Sequence, residues 1–268
     1  MRGKGVVLLC ATMLAGCQMW RSAAPPPPVP QDDTLKLGEL VITSDFPLPV
    51  EHRLLSEIKL LREDVSQTFR MPPSNEPIQV YLFGTEEKYK AFMKAVHPDF
   101  PDRRAFFVES TDRRLKVYAH WGDRMAEDLR HEVSHGYMHS LVRNMPLWLD
   151  EGLAKNFEVP RGTRGLNWPL VEQLLSALNQ GQWQPDLQRL EQLTDPAAMT
   201  QLDYAEAWAW VHLMLQTEPQ RKEMLQGYLA ALRKDGNAAP LSVQIRGLNI
   251  APQRTLIEYL HGLAAARR

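Results

Sequence analysis

The stretch HEVSHGYMHSLVRNMPLWLDEGLAKNFE, residues 131–158, has the apolar spacing of two buried helices, yet it is crowded with histidines and carboxylates. Charged side chains are almost never fully buried unless they are paired or bind a metal ion. A helix pair of this composition therefore needs a partner for its ionisable groups. The nature of that partner restricts both the fold and the chemistry of the chain.

A His-Glu-x-x-His pattern lies within this stretch, at His131, Glu132 and His135. On a helix, residues four apart project from one face, so two imidazoles can bind a single zinc ion at about 2.0–2.1 Å each. Glu132 lies about 100° round the helix from His131, where its carboxylate flanks the ion and can take a proton from water. The pattern predicts zinc bound by His131 and His135, with Glu132 as the general base.

Catalytic zinc has three protein ligands and leaves its fourth position to water, so a third ligand is required. His139 lies two turns beyond His131, about 12 Å along the same helix, which is too far for one ion. Pro146 interrupts the helix and allows a second helix to begin. Antiparallel packing would bring Glu151 opposite the histidines, whereas its neighbour Asp150 would point elsewhere. We therefore predict Glu151 as the third ligand.

The chain resembles a known family in two motifs. These are His131-Glu132-x-x-His135 and Trp148-Leu149-x-Glu151-Gly152-x-Ala154. Over roughly residues 113–158 the chain resembles the gluzincin zinc metallopeptidases, most of all the uncharacterised bacterial peptidases of the MA-like group. The resemblance implies a zincin-like fold, a glutamate ligand on the helix after the histidines, and hydrolysis of peptide bonds. The alternative is a buried helix pair whose histidines hydrogen-bond internally, which leaves clustered ionisable groups without evident counter-charges.

The resemblance is incomplete in two places. The chain has no Gly-x-Met-Glu-Asn stretch like that of the related aminopeptidases, so aminopeptidase activity is poorly supported, and we favour an endopeptidase over an exopeptidase. Thermolysin-like enzymes have an aspartate, which orients a ligand histidine, at the position where this chain has Lys155. The residues that orient the ligand histidines are therefore left unassigned.

Further residues are predicted to act on the substrate. Gluzincins often stabilise the oxyanion with a tyrosine or histidine downstream of the glutamate ligand, and Tyr204 is similar in placement. The alternative for Tyr204 is a core position on an aromatic helix with Trp208 and Trp210, and His212 is a lesser candidate. In zincin folds, the strand beside the active-site helix pairs with extended substrate, so we expect the strand RLKVYAH to be a sheet edge that receives a peptide.

Hydrophobic periodicity predicts strands and helices in the first half of the chain and helices alone in the second half. Strands are predicted at 39–44, at 78–84 and in a hairpin with arms RAFFVES and RLKVYAH. Helices are predicted at 52–69, from Thr85 to about 97, and at 168–181, 203–216, 219–236 and 252–268. The predicted class is α+β and zincin-like: a small mixed sheet with helices, then the active-site helix pair, then a mainly helical part. We expect an α/β subdomain at 34–145, which includes the His-Glu-x-x-His helix, and a helical subdomain at 146–268 with the third ligand.

The N-terminal segment predicts export and anchoring. Residues 1–16 combine a positive start, an apolar run too short to span a membrane, and small residues before Cys17. They resemble the signal peptide and lipobox of bacterial lipoproteins, in which this cysteine is acylated; the alternative is an ordinary signal peptide followed by a chance cysteine. Residues 17–33 are proline-rich and predict an extended spacer. The expected location is the bacterial cell envelope, at the outer membrane facing the periplasm.

Composition excludes several other chemistries. The 31 basic and 32 acidic residues nearly cancel, which gives no reason to expect nucleic-acid binding. The two cysteines, Cys10 and Cys17, both lie in the predicted signal and anchor, so the rest of the chain has neither a disulfide nor a thiol ligand. The expected partners are a peptide or protein substrate and, through the lipid, a membrane; the sequence implies no particular oligomeric state.

The sequence thus predicts a lipid-anchored, zinc-dependent metallopeptidase of the bacterial cell envelope. One alternative is a non-catalytic envelope lipoprotein that uses a peptidase-like fold as a binding or assembly module. Glu132 argues against this alternative, since a structural zinc site prefers four protein ligands and needs no base. A second alternative is a hydrolase that acts on a non-protein amide, such as a peptidoglycan cross-link.

Overall fold

The computed structural model describes residues 27–267. The predicted signal peptide, the lipidation site Cys17 and the beginning of the proline-rich spacer lie outside the described residues. Within the described part, none of the helices combines the length and the apolar character that a membrane crossing requires.

Five strands form one mixed sheet in the described chain. They are β1 (Asp33–Leu37), β2 (Leu40–Ser44), β3 (Ile78–Phe83), β4 (Ala105–Glu109) and β5 (Leu115–His120). Their order across the sheet is β1-β2-β3-β5-β4. The three central strands are parallel, and each outer strand is antiparallel to its neighbour.

Ten α-helices accompany this sheet in residues 27–267. They are α1 (Arg53–Phe69), α2 (Glu86–Val96), α3 (Met125–Leu141), α4 (Leu147–Phe157), α5 (Trp168–Asn179), α6 (Leu187–Leu190), α7 (Gln201–Gln216), α8 (Pro219–Asp235), α9 (Leu241–Leu248) and α10 (Pro252–Ala266). The mixed α+β class predicted from the sequence is therefore confirmed. Helix α2 begins as expected, because the Thr85 hydroxyl accepts a hydrogen bond from the Lys88 N–H.

The sequence patterns missed three short elements, which are β1, α6 and α9. Strand β1 has only five residues, which alternate between half-buried and exposed with none fully buried, so its pattern is too short and too polar to stand out in the sequence. Helices α6 and α9 have four and eight residues, too few for helical periodicity to be distinguished from a loop.

The prediction that the strand RLKVYAH forms the sheet edge is wrong. This strand is β5, and it lies between β3 and β4 in the sheet. Its alternate residues Leu115, Val117 and Ala119 are fully buried, as expected for a strand with neighbours on both sides. The edge on this side of the sheet, in contact with α3, is instead β4, the first arm of the hairpin.

Helices α3 and α4 follow the sheet directly and pack against each other. Two glycines, each next to a predicted ligand, allow both helices to approach their neighbours closely. A Cβ atom at Gly136 would lie 3.0 Å from the Ile78 side chain of β3. A Cβ atom at Gly152 would lie 2.6 Å from the carbonyl oxygen of Ala207 in α7, which is closer than real Cβ contacts occur. Helix α3 is thereby held on the sheet and α4 against α7.

One apolar cluster connects the sheet to the helical half of the chain. It includes fully buried residues from both halves, among them Ile42, Val133, Leu153, Trp208 and Leu260. Interiors of this kind are close-packed and transmit small displacements. The positions of α3 and α4 therefore depend on side chains from the entire described chain.

We predict that Gly152→Ala destabilises the protein by about 1–3 kcal/mol, because the added methyl group overpacks the contact between α4 and α7. The matched control is Gly227→Ala in α8, where a Cβ atom meets nothing within 4 Å. Alanine there leaves stability unchanged or raises it by about 1 kcal/mol through helix propensity. Thermal and denaturant unfolding measure both changes, and an unchanged midpoint for Gly152→Ala would contradict the close packing of α4 on α7.

Candidate metal centre

The structure brings His131, His135 and Glu151 together, with one potential ligand atom of each within 4.8 Å of the others. The two Nε2 atoms of His131 and His135 are 3.3 Å apart. Oε2 of Glu151 lies 3.4 Å from the first of these nitrogens and 3.8 Å from the second. The turn at Pro146 places the second helix so that its carboxylate faces the histidine pair.

These distances are suited to one small cation. Ligands that surround an ion tetrahedrally at about 2.0–2.1 Å lie about 3.3–3.4 Å from one another. Octahedral ligands at about 2.1 Å lie only about 3.0 Å apart. The separations in the cluster, 3.3, 3.4 and 3.8 Å, are closer to the tetrahedral set.

Two further carboxylates determine which nitrogen of each histidine is available to a metal. Nδ1 of His131 lies 3.0 Å from Oε2 of Glu158, and Nδ1 of His135 lies 2.9 Å from Oδ1 of Asp150. A carboxylate accepts a hydrogen bond, so each Nδ1 carries a proton, and the neutral form of each ring has its lone pair on Nε2. Two such lone pairs 3.3 Å apart repel each other unless a proton or a metal ion lies between them.

Glu151 adds a buried acceptor to the same place. Its Oε2 atom is buried and has no hydrogen-bond partner among the described residues. An unsatisfied buried carboxylate oxygen costs about 1–3 kcal/mol or more, because it has lost its water. A cation bound between this oxygen and the two imidazoles would compensate that loss.

The pKa values show how strongly this cluster attracts positive charge. Burial by itself lowers the pKa of His131, but the nearby Glu151 and Glu158 carboxylates outweigh it and raise the pKa to about 10. Burial raises the pKa of Glu158, but His131 and Lys155 more than offset this and lower it to about 2. For Asp150, likewise, His135 and His139 outweigh burial and lower the pKa far below its usual range. The cluster therefore favours positive charge, which protons or a metal ion that displaces them would supply.

His139 is not part of the three-residue group, in agreement with its distance along the helix, but it has a defined partner. Its Nε2 lies 3.0 Å from Oδ2 of Asp150, and its Nδ1 lies 3.3 Å from Oε2 of Glu109. Glu109 in turn accepts a hydrogen bond from Arg143. His135, His139 and Asp150 also come within 4.8 Å of one another, and hydrogen bonds among them account for this proximity. The side chain of Asp150 thus joins two histidines, which the sequence analysis did not foresee.

Glu132 faces the cleft beside this group. Its Oε2 atom accepts a 2.6 Å hydrogen bond from the backbone N–H of Phe107 in strand β4. Phe107 belongs to the residues of β4 whose backbone groups point away from β5, toward the free edge of the sheet. The carboxylate predicted to be the base therefore lies next to the edge strand.

Tyr204 lies in the wall of the same cleft, a cavity of about 840 Å³ that also includes His131, Glu132 and Glu151. The tyrosine hydroxyl accepts a hydrogen bond from Nη2 of Arg103 at 3.1 Å. Its oxyanion role stays a prediction, but its hydroxyl is not enclosed in the core with Trp208 and Trp210.

His212, the lesser candidate for the oxyanion, does not line this cleft. Its ring stacks on Trp208, and its Nδ1 lies 2.7 Å from the Tyr259 hydroxyl. Burial lowers its pKa to about 4, so it is neutral at physiological pH. His212 is a packed interior residue.

The sequence analysis did not predict the contacts of Glu158, Asp150 and Arg103. The sequence contains one indication for Glu158, which is its position three residues after Lys155, the spacing of ion pairs on a helix. In the structure the two side chains form an ion pair of 2.8 Å. Lys155 occupies the position at which thermolysin-like enzymes have an aspartate that orients a ligand histidine. In this chain Glu158, about one helical turn later, contacts His131 instead. The partners of Asp150 and Arg103 come from other elements, so spacing along the chain contains no comparable signal for them.

We predict that Asp150→Asn weakens metal binding about 10- to 100-fold, because an amide no longer holds the Nδ1–H form of His135 as a carboxylate does. Competition with a chelator on the purified domain measures this change, and Glu151→Ala, which removes a ligand, defines the largest loss. The control is Asp128→Asn on α3, whose carboxylate pairs with Arg104 and has no hydrogen bond to a histidine. Metal affinity that is equal in the Asp150 and Asp128 variants would exclude a role for Asp150.

Comparison with known proteins adds no family assignment. A scan of the sequence against protein-family models gives no match, and a search of curated proteins gives none. The gluzincin resemblance therefore stays a prediction that rests on the two sequence motifs.

Proposed function

We propose that this protein is a zinc-dependent metallopeptidase of the gluzincin type, with a zincin-like arrangement of sheet and active-site helices. The observation that carries the proposal is the convergence of two imidazole Nε2 atoms and one carboxylate oxygen, 3.3–3.8 Å apart. Both imidazoles have their other nitrogen bound to a carboxylate. Histidines that bind zinc commonly donate their second ring N–H to a carboxylate in the same way.

Zinc is proposed over other metals for two reasons. Two imidazoles and a carboxylate are a common ligand set of catalytic zinc, which keeps its fourth position for water. Non-haem iron uses a similar set, but its octahedral geometry brings the ligand atoms to about 3.0 Å from one another. The separations in this cluster are larger and favour a tetrahedral ion.

When bound, zinc would polarise the substrate carbonyl and lower the pKa of a water molecule toward neutrality. Glu132 shares the cleft with the predicted ligands and has no hydrogen bond to a histidine, and it would accept the proton of the attacking water. It would then return the proton to the leaving amine. The Tyr204 hydroxyl, whose oxygen accepts from Arg103, keeps its own hydrogen to donate to the developing oxyanion.

Strand β4 is proposed as the docking edge for an extended peptide. Ala105, Phe107 and Glu109 direct their backbone groups away from β5, so these groups lie along the sheet edge beside the cleft, where the Phe107 N–H is held by Glu132. Backbone pairing of this kind binds peptides of many sequences. It also requires Glu132 to leave the Phe107 N–H, which the incoming peptide carbonyl would then occupy.

Anchoring through an acylated Cys17, with residence in the bacterial cell envelope, is part of the same proposal. The proline-rich spacer before β1 would hold the catalytic part away from the membrane. Substrates would then be envelope proteins or peptides.

We predict that Glu132→Gln retains its metal but lowers kcat by about 10²- to 10⁴-fold, because the amide accepts the Phe107 N–H yet cannot take a proton. Metal analysis and peptide hydrolysis by the purified domain measure the two quantities together. A variant that still restores the wild-type cellular phenotype would favour the non-catalytic binding module. A wild-type protein that cleaves purified peptidoglycan but not peptides would favour the non-protein amide.

We also predict that N-methylation of a peptide substrate lowers kcat/KM at alternate backbone positions only. Where the amide pairs with β4, loss of one hydrogen bond lowers kcat/KM about 3- to 10-fold. The intervening amides point away from the strand, so their methylation serves as the control. An equal effect at every position would contradict docking along β4.

A further inference from the structure

The cleft wall contains many charged side chains, and most of its cations are neutralised by a neighbouring carboxylate. These pairs are Lys90 with Glu86, Arg104 with Asp128, Arg124 with Glu127, Arg130 with Glu57, and Lys155 with Glu158, at 2.6–3.0 Å. Such pairs contribute little net attraction for a charged ligand, since each positive group already has its counter-charge.

Arg103 is the exception among the cations that line the cleft. No carboxylate oxygen of the described residues lies within 4.0 Å of its guanidinium, whereas the adjacent Arg104 is paired with Asp128. Arg103 instead donates to the Tyr204 hydroxyl at 3.1 Å and lies over the Phe106 ring, 5.8 Å from its centroid. Neither neighbour carries a negative charge.

These two contacts preorganise the guanidinium without using most of its donors. A guanidinium has five N–H groups in a planar fork, and one of them is bound to Tyr204. The remaining donors match the two oxygens of a carboxylate. Because Tyr204 shares the cleft with His131 and Glu151, the fork lies close to the proposed reaction centre.

The part of the cleft wall around α5 is less polar. Val159, Leu166, Trp168 and Leu170 line it. A ligand that places an apolar group on this wall and a negative group on Arg103 would use both features.

We propose that Arg103 is a substrate-binding residue that recognises a carboxylate close to the scissile bond. This inference rests on the proposed function, and it gives the substrates a class: peptides that carry a free carboxylate near the cleaved bond. The carboxylate comes either from the C-terminus of the peptide or from an acidic side chain. The first source makes the protein a carboxypeptidase, and the second makes it an endopeptidase directed to acidic sites.

Binding to the Glu132→Gln protein tests the proposal without requiring turnover. Three probes are compared by calorimetry: acetyl-Ala-Phe-Ala with a free C-terminus, its C-terminal amide, and acetyl-Ala-Phe-Glu amide. We expect at least one carboxylate probe to bind about 10- to 100-fold more tightly than the neutral amide. The probe that gains affinity identifies the source of the carboxylate.

Variants at two neighbouring arginines provide the control. In the same Glu132→Gln background, Arg103→Gln removes the advantage of the carboxylate probe, Arg103→Lys keeps part of it, and Arg104→Gln leaves it intact. Arg103→Glu makes the protein bind acetyl-Ala-Phe-Lys amide more tightly than the carboxylate probes. Loss of packing against Tyr204 alone would not produce this reversal. Unfolding midpoints verify that each variant is folded.

Equal affinity for the charged and neutral probes would overturn the proposal, and so would an advantage that survives Arg103→Gln. Failure of every probe to bind would overturn it as well. The proposed peptidase function fails differently, through a metal-loaded wild-type protein that hydrolyses no peptide. A protein that cleaves neutral peptides with Glu132 dependence, yet shows no carboxylate preference, would retain the peptidase proposal and lose this one.

Discussion

The two imidazole nitrogens that face each other at 3.3 Å are the constraint around which this site is organised. Glu158 and Asp150 bind the far side of each ring and hold its proton on Nδ1. Two lone pairs then face one point, together with a buried Glu151 oxygen. Without a cation this arrangement is unfavourable, because each of these acceptors has lost its hydration and faces another acceptor instead of a donor. Buried carboxylates and histidines are therefore stable here only as a set that shares positive charge.

Backbone packing determines whether the set can form. The histidines lie on α3, which rests on the sheet, and Glu151 lies on α4, which rests on α7. Gly136 and Gly152 each follow a predicted ligand and lie where a Cβ atom would meet Ile78 or the Ala207 carbonyl. The absence of these two side chains lets both helices approach their supports, so small changes in packing become changes in ligand separation. A substitution at either glycine would therefore alter both stability and the separation of the predicted ligand atoms.

The sequence predicted the parts of this site that depend on local geometry. His131 and His135 share a helix face, and Pro146 indicates the turn before the second helix, so their meeting with Glu151 follows from spacing. The outer carboxylates were not assigned, because their contacts depend on how the two helices are rotated against each other. The prediction that RLKVYAH (β5) forms the edge of the sheet was wrong for a related reason. A hairpin pattern identifies its two arms, but which arm joins β3 is decided by burial in the folded sheet.

In the proposed mechanism, the contact between Glu132 and the edge strand would link substrate docking to proton transfer. The Phe107 N–H, which now donates to Glu132, is also the group that an extended peptide would use on β4. One N–H does not give a full hydrogen bond to two acceptors at once, so a peptide bound in this way would release the carboxylate for the attacking water. A hydrogen bond to a charged group contributes about 1.5–3 kcal/mol, and this stabilisation is lost when Glu132 leaves the Phe107 N–H. Pairing of the peptide with β4 would have to contribute more than this. Peptides that span several edge positions meet this requirement, whereas single amides make too few contacts, which favours extended substrates over small amides.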